Sequence, residues 1–173
     1  MVINRVWSMP NKWTFRVKPI MELIERYVGP GWIDPFSGKY SPVEITNDIQ
    51  EKATYNMDGL DFLKMFDNDS IPGILFDPPY SVEQNLRSYK AKYKGTAGRS
   101  EYQTECKKQI ARIVKPGGYC ISFGWNSSGI GMKRGFEIQE ILLVCHGSYH
   151  YDTIVTVDRK KRYVMQQEFE FKL

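Results

Sequence analysis

Hydrophobic residues recur along the chain with a spacing that changes several times from helical to extended. Residues 19–28 carry apolar side chains at Ile20, Leu23, Ile24 and Tyr27, which predicts an amphipathic helix. Short apolar runs at residues 32–36, 43–46 and 53–57 predict three strands. A second helix is predicted at residues 59–66. The unbroken apolar run at residues 73–76 is typical of a strand in the centre of a parallel sheet.

The second half of the chain continues the alternation. A helix is predicted at residues 101–114, followed by strands at 119–125, 136–145 and 153–157. The last two strands are expected to form an antiparallel hairpin at the edge of the sheet. Because strands and helices alternate, the sequence predicts an α/β fold with a mostly parallel, seven-stranded sheet and an antiparallel C-terminal strand pair.

One connection departs from this scheme. Only residues 37–42 separate the first two predicted strands, whereas a parallel crossover normally has a dozen or more residues and a helix. Either that helix is missing or one of the two strands is assigned wrongly. The spacing does not decide between them.

Length and composition narrow the class of protein. A chain of 173 residues suits one domain, residues 1–173, with no room for a separate target-recognition domain. The chain has no apolar run long enough for a membrane helix and no apolar signal core at its start, so we expect a cytoplasmic protein without a membrane partner. Cys106, Cys120 and Cys145 are expected to be free thiols, and no metal site is predicted.

The motif that carries chemistry is Asp77-Pro78-Pro79-Tyr80, which directly follows the central apolar strand. The carboxyl ends of such strands are where open α/β sheets bind ligands. Proline holds its predecessor extended and lacks an N–H, so the turn offers a carboxylate and carbonyl acceptors without competing donors. These groups can accept hydrogen bonds from the amino group of a nucleic-acid base, and Tyr80 can stack on that base.

With this motif the chain resembles the amino-methyltransferases that modify adenine N6 or cytosine N4 in DNA, most of all the small orphan adenine methylases of phages and mobile elements. The resemblance covers nearly the whole chain. It implies a Rossmann-like class I methyltransferase fold, S-adenosyl-L-methionine as cofactor, and Asp77, Pro78, Pro79 and Tyr80 as catalytic residues. The version with Asp at the first position implies adenine N6 as the target.

The resemblance also implies a set of cofactor-binding residues. They belong to four segments that are similar to the family's cofactor motifs, and they are Thr14, Phe15, Lys18, Asp34, Phe36, Gly38, Asp48 and Asp58. The family's usual second glycine is absent, because Lys39 and Tyr40 follow Gly38. Ordinary structural roles compete with these assignments: Gly38 can be a turn glycine, Asp48 a solvated acid and Asp58 a helix N-cap.

A nucleic-acid partner is expected from charge and aromatic residues. Net charge is +4, and basic residues cluster after the motif in a predicted loop at residues 81–100. Lysine and arginine there can neutralise phosphates, and tyrosine can stack on an extruded base. The predicted nucleic-acid-binding residues are Arg87, Tyr89, Lys90, Lys92, Tyr93, Lys94 and, on the far side of the next strand, Trp125.

Several alternatives stay open at this point. The target can be an amine in RNA or cytosine N4 in DNA instead of adenine N6. The altered glycine motif also fits a non-catalytic subunit that binds the cofactor or nucleic acid. Target specificity can come from the loop, from the C-terminal hairpin, or from a second subunit in a homodimer or with an accessory protein.

Overall fold

The computed structural model of the chain describes residues 1–79, 100–147 and 150–162. Its strands are β1 (Val2–Trp7), β2 (Ile33–Asp34), β3 (Ile45–Thr46), β4 (Ile71–Phe76), β5 (Val114–Gly124), β6 (Phe136–Cys145) and β7 (Thr153–Lys160). They form one sheet in the order β1-β6-β7-β5-β4-β2-β3. Strand β7 is antiparallel to β5 and β6, and the other paired strands are parallel. The predicted mixed seven-stranded sheet is therefore confirmed.

Helices cover both faces of the sheet. They are α1 (Lys18–Glu25), α2 (Gly59–Lys64) and α3 (Ser100–Ile113), with short 3-10 turns at Thr14–Arg16 and Met132–Arg134. Helix α1 buries Ile20 and Ile24 against one face, whereas α2 and α3 bury Phe62 and Ile110 against the other. Because β4 is covered on both faces, its side chains are apolar in succession rather than in alternation. None of the helices in these ranges is long and apolar enough to cross a lipid bilayer.

The prediction that the C-terminal hairpin lies at the sheet edge was wrong. Strand β1 lies outside β6 and pairs with it in parallel, with Ile3 opposite Ile141. Strand β1 was not predicted from the sequence because its side chains are mostly exposed. Both Ile3 and Trp7 remain about two-thirds exposed, at 64% and 66%, so no buried periodicity marks the strand.

Of the two explanations for the short connection between the first two predicted strands, the missing helix is correct. Strands β2 and β3 are adjacent and parallel, and residues 35–44 between them contain no helix. The strand predicted at residues 53–57 was wrong: that segment makes only a single parallel bridge, from Tyr55 to Asn47. This side of the domain is therefore built from short strands and turns.

The strand order creates a crevice beside β2. The chain passes from β2 outward to β3 and then returns to β4 on the other side of β2. Such a reversal leaves the carboxyl ends of two neighbouring parallel strands without a connection crossing over them, and ligands of α/β proteins bind there. Here these ends are Asp34 of β2 and Phe76 of β4.

Candidate active site

A cavity of about 230 Å³ opens at this crevice. Its wall combines aromatic rings, backbone turns and carboxylates from four separate segments, which the fold brings together. The lining residues are Lys12, Trp13, Thr14, Phe15, Phe36, Ser37, Gly38, Tyr40, Asp48, Gln50, Glu51, Asp77, Pro78 and Pro79. Three residues of the predicted catalytic motif and five of the predicted cofactor-binding residues therefore share one cavity.

The turn Asp77-Pro78-Pro79 forms one side of the cavity. It follows Phe76, which is buried at the end of β4, so the strand fixes where the turn begins. Helix α3 holds the far end, because Gln103 donates a hydrogen bond from Nε2 to the carbonyl of Pro79 at 3.1 Å. Tyr80, the fourth catalytic residue predicted from the sequence, lies outside the described residues.

Asp48 and Gly38 form the opposite side. One oxygen of Asp48 accepts hydrogen bonds from the backbone N–H groups of Gln50 and Glu51, each at 2.8 Å. The other oxygen accepts from the N–H of Gly38 at 3.1 Å. A carboxylate has about four acceptor positions, so these three bonds leave one for a ligand. Asp48 is thus both a turn-forming acid and a lining residue of the cavity.

Position 38 requires glycine because of the backbone conformation there. Its φ of +54° lies in the left-handed region, and a β-carbon there would come within 3.2 Å of the ring of Trp13. The glycine lets the chain turn tightly beneath Trp13 at the cavity wall.

Asp34 does not line the cavity. It is fully buried beneath it, where its carboxylate accepts hydrogen bonds from Ser41 Oγ at 2.6 Å and from the N–H of Phe36 at 3.0 Å. Burial raises the pKa of Asp34 to about 7 against the effect of these hydrogen bonds, and the nearby carboxylates of Asp77 and Asp48 raise it further. Its position supports the turn after β2.

Two further predicted cofactor residues also lie away from the cavity surface. Asp58 is the N-cap of α2: it accepts hydrogen bonds from the N–H groups of Leu60 and Asp61 and from the hydroxyl of Tyr102 at 3.0 Å. Lys18 is exposed and forms an ion pair with Glu22. A cofactor contact from either residue stays a prediction.

The rim of the cavity contains aromatic and basic residues that the sequence analysis did not assign. Trp13 and Tyr40 meet edge to face with ring centroids 5.6 Å apart. The ammonium of Lys12 lies 4.8 Å from the Trp13 ring, and the guanidinium of Arg16 lies 5.1 Å from the Tyr40 ring. Lys12 and Trp13 lie in the segment that resembles a cofactor motif, but their individual roles were not predicted. Tyr40 meets them only through the fold, because it comes from the turn after β2.

Trp125 lines a second, smaller cavity on the β5 side of Pro78. Its ring packs against that of Tyr151 with centroids 5.0 Å apart, and Tyr151 is 79% exposed. The other residues predicted to bind nucleic acid lie outside the described residues: Arg87, Tyr89, Lys90, Lys92, Tyr93 and Lys94.

The histidine that follows β6, His146, is held by hydrogen bonds to neighbouring protein groups. His146 is buried, and its ring nitrogens lie 2.9 Å from the Ser8 carbonyl and 3.0 Å from Thr153 Oγ1. Within the ranges that the structure describes, no group of three or more histidine, cysteine or acidic residues is arranged to hold a metal ion.

No protein-family model and no curated protein sequence matches the chain. Solved structures resemble its fold. A SAM-dependent methyltransferase from Methanosarcina mazei gives a TM-score of 0.53 at 12% identity, over 82% of this chain and 98% of the other. A candidate rRNA methylase from Clostridium thermocellum gives a TM-score of 0.53 at 12% identity, over 87% of this chain and 100% of the other.

A third structure, the 1,6-didemethyltoxoflavin-N1-methyltransferase from Burkholderia thailandensis, contains bound S-adenosylhomocysteine. It gives a TM-score of 0.52 at 9% identity, over 75% of this chain and 70% of the other. At such identities the likeness concerns the fold. The chain has a Rossmann-like methyltransferase fold, as its sequence predicted.

Proposed function

We propose that the chain is an S-adenosylmethionine-dependent methyltransferase that modifies the exocyclic amine of a nucleic-acid base, with adenine N6 in DNA as the preferred target. One observation carries the proposal. Asp77, Pro78 and Pro79 line the same cavity as Gly38 and Asp48, at the reversal of strand order in a methyltransferase fold. The motif proposed to bind the methyl-accepting amine and the proposed cofactor-binding turns are thus neighbours in space.

The cavity suits the cofactor chemically. The rings of Phe15 and Phe36 offer apolar surface, Gly38 lets backbone approach closely, and Asp48 retains one acceptor position for a hydroxyl group. These residues, with Thr14, would hold the adenosyl and methionyl parts. When bound, S-adenosylmethionine supplies an electrophilic methyl group on a sulfonium sulfur.

Asp77 has the central part in the proposed reaction. The lone pair of a base amine is delocalised into the ring, which makes the nitrogen a poor nucleophile. Hydrogen bonds from the NH₂ group to Asp77 and to a carbonyl of the motif draw the nitrogen towards tetrahedral geometry. As the nitrogen attacks the methyl carbon, the carbon–sulfur bond would break and S-adenosylhomocysteine would leave. The Asp77 carboxylate stabilises the positive charge that develops on the nitrogen until a proton leaves. Tyr80 is proposed to stack on the base.

Nucleic-acid contacts are proposed on both sides of the motif. The basic and tyrosine-bearing segment at residues 81–100 is the predicted phosphate and base contact on one side. On the other side, the ring pair of Trp125 and Tyr151 offers an aromatic surface at the same end of the sheet. A second subunit remains an additional source of specificity.

The alternatives differ in substrate or in catalysis. The fold likeness to a candidate rRNA methylase supports RNA as the second substrate to test. Cytosine N4 would use the same motif chemistry. A non-catalytic subunit would bind the cofactor or nucleic acid without turnover.

The test is methyl transfer by the purified full chain from isotopically labelled cofactor to DNA and, separately, to RNA. We expect label in DNA and N6-methyladenosine among its digested nucleosides. Asp77→Ala should lower the rate by about 10²–10³-fold or more while cofactor binding persists. Asp77→Asn, which keeps an acceptor oxygen, should be impaired but active, and Asp61→Ala on the exposed face of α2 is the matched control. Cofactor binding without transfer to either nucleic acid would reject the proposal.

A further inference from the structure

The second cavity lies beside the catalytic motif but away from the proposed cofactor. It has a volume of about 90 Å³ and is lined by Phe76 and Pro78 from the end of β4, by Lys107 from α3, and by Trp125 and Asn126 after β5. Pro78 also lines the larger cavity, so the motif separates the two spaces. A group bound in the second cavity would sit next to Pro78 without occupying the cofactor cavity.

Lys107 is the unusual residue in this cavity. It is half-buried, yet in the described part of the chain its ammonium forms no hydrogen bond or ion pair. The adjacent Lys108, by contrast, is exposed and pairs with Glu105 at 2.6 Å. Burial lowers the pKa of Lys107, as expected for a cation that has lost water without gaining a partner. Such a site favours an anionic ligand.

The surrounding charges leave this cation uncompensated. The acidic group that interacts with it, Asp158, lies beneath Gly129, where one oxygen accepts from the N–H of Ile130 at 3.2 Å and the other has no hydrogen-bond partner among the described residues. Asp158 therefore makes no ion pair with Lys107. Arg134, which donates a hydrogen bond to the Ile130 carbonyl at 3.1 Å, is a second positive charge and also lowers the pKa of Lys107. Among the described residues, Lys107 and Arg134 are two cations beside the single carboxylate of Asp158, so an anion would balance the charge.

Asn126 supplies a second donor. Its side-chain oxygen already accepts hydrogen bonds from the N–H of Ser128 at 3.0 Å and from Ser128 Oγ at 2.6 Å. Its amide NH₂ therefore remains to donate. An ammonium and an amide NH₂ at one small cavity match the oxygens of a phosphate group, which accept hydrogen bonds and carry negative charge.

We propose that the cavity between Lys107 and Asn126 is a subsite for one backbone phosphate of the nucleic acid, next to the nucleotide whose base is presented to Asp77. This inference rests on the proposed function, since it takes the substrate to be a nucleic acid. The subsite fixes the register of the strand relative to the motif. Phosphate contacts position a substrate in this way without reading its sequence.

The first experiment compares Lys107→Gln with Lys108→Gln in binding a DNA oligonucleotide at several salt concentrations. Losing one phosphate contact should reduce the slope of log Kd against log salt by about one unit in Lys107→Gln, and Lys108→Gln should keep the wild-type slope. Thermal melting checks that both variants are folded. Asn126→Ala, which alters an exposed loop, provides a second variant and should weaken binding as well.

The second experiment replaces single phosphates of the oligonucleotide by neutral methylphosphonates. The wild-type protein should lose affinity at one particular linkage, and Lys107→Gln should show no further loss at that linkage. If the wild-type protein methylates DNA but Lys107→Gln keeps the wild-type salt slope and the same methylphosphonate profile, the subsite is refuted and the proposed function stands. If the wild-type protein methylates neither DNA nor RNA, the proposed function fails and the subsite fails with it.

Discussion

Asp48 accepts a hydrogen bond from the backbone N–H of Gly38 at 3.1 Å, which joins the turn after β3 to the turn after β2 across the wall of the larger cavity. The other oxygen of Asp48 accepts hydrogen bonds from the backbone N–H groups of Gln50 and Glu51 in its own turn. One side chain therefore shapes two of the four segments that line the cavity.

Replacing Asp48 should weaken cofactor binding more than it weakens the fold. Asp48→Asn removes the negative charge from three hydrogen bonds and changes the remaining acceptor position. We expect a loss of about 1.5–3 kcal/mol in binding free energy, or roughly 10- to 150-fold in Kd, by isothermal titration calorimetry. Glu44→Gln, in an exposed side chain of the same segment, is the control. Unchanged affinity in Asp48→Asn would exclude this residue from the cofactor site.

Asp58 and Asp61 should differ in their effect on stability. Asp58 caps α2 and accepts a hydrogen bond from the hydroxyl of Tyr102, which links α2 to α3. Asp61, by contrast, makes an exposed ion pair with Lys64. Asp58→Ala should cost about 1–2 kcal/mol in urea denaturation, and Asp61→Ala less than about 0.5 kcal/mol. Cofactor affinity measured on both variants tests the additional binding role predicted for Asp58. Equal denaturation midpoints would contradict the capping role.

The buried carboxyl of Asp34 should make stability depend on pH. Burial raises its pKa to about 7, whereas in the unfolded chain an aspartate titrates near about 4. Between these values the folded protein holds a proton that the unfolded chain has lost. The free energy of unfolding should therefore fall as the pH rises through this window, by up to about 1.4 kcal/mol per pH unit from this group, and level off above it.

Asp34→Asn tests this directly, because the amide cannot ionise. Urea denaturation of both proteins across the same pH range should show a flatter profile for the variant. Burial also raises the pKa of Asp158, to about 6, but that residue contributes to both proteins and cancels in the difference. Parallel profiles for wild type and variant would show that Asp34 titrates normally.

Lys160 should be important for stability although it lies far from the cavity. Its buried ammonium donates to Asp69 at 2.7 Å and to the carbonyls of Ala111 and Val114 at 2.6 and 2.7 Å, where α3 ends and β5 begins. Lys160→Met would leave these acceptors without their donor, at a cost on the order of 3 kcal/mol in chemical denaturation. Lys161→Met, which removes an exposed ion pair with Glu137, should change stability by less than about 1 kcal/mol. Similar losses in both variants would argue against the special role of Lys160.

The amino-acid sequence by itself determined the elements whose pattern is local. The apolar run of β4 followed by Asp77-Pro78-Pro79 predicted a central strand with a rigid acidic turn at its carboxyl end. Both are present as predicted. The helical spacing in α1 and α3 was equally clear. These features depend on residues a few positions apart, so the sequence contains the whole signal.

Only the tertiary structure decided what depends on distant partners. Strand β1, at the start of the chain, pairs with β6, which lies more than 120 residues later. The side chains of β1 are mostly exposed, so no pattern in the sequence predicts this pairing. Asp34, Asp48 and Asp58 look alike in sequence, yet packing buries the first, directs the second to the cavity and makes the third a helix cap. Lys107 differs from Lys108 for the same reason, because burial and charge balance arise from the whole fold rather than from neighbouring residues.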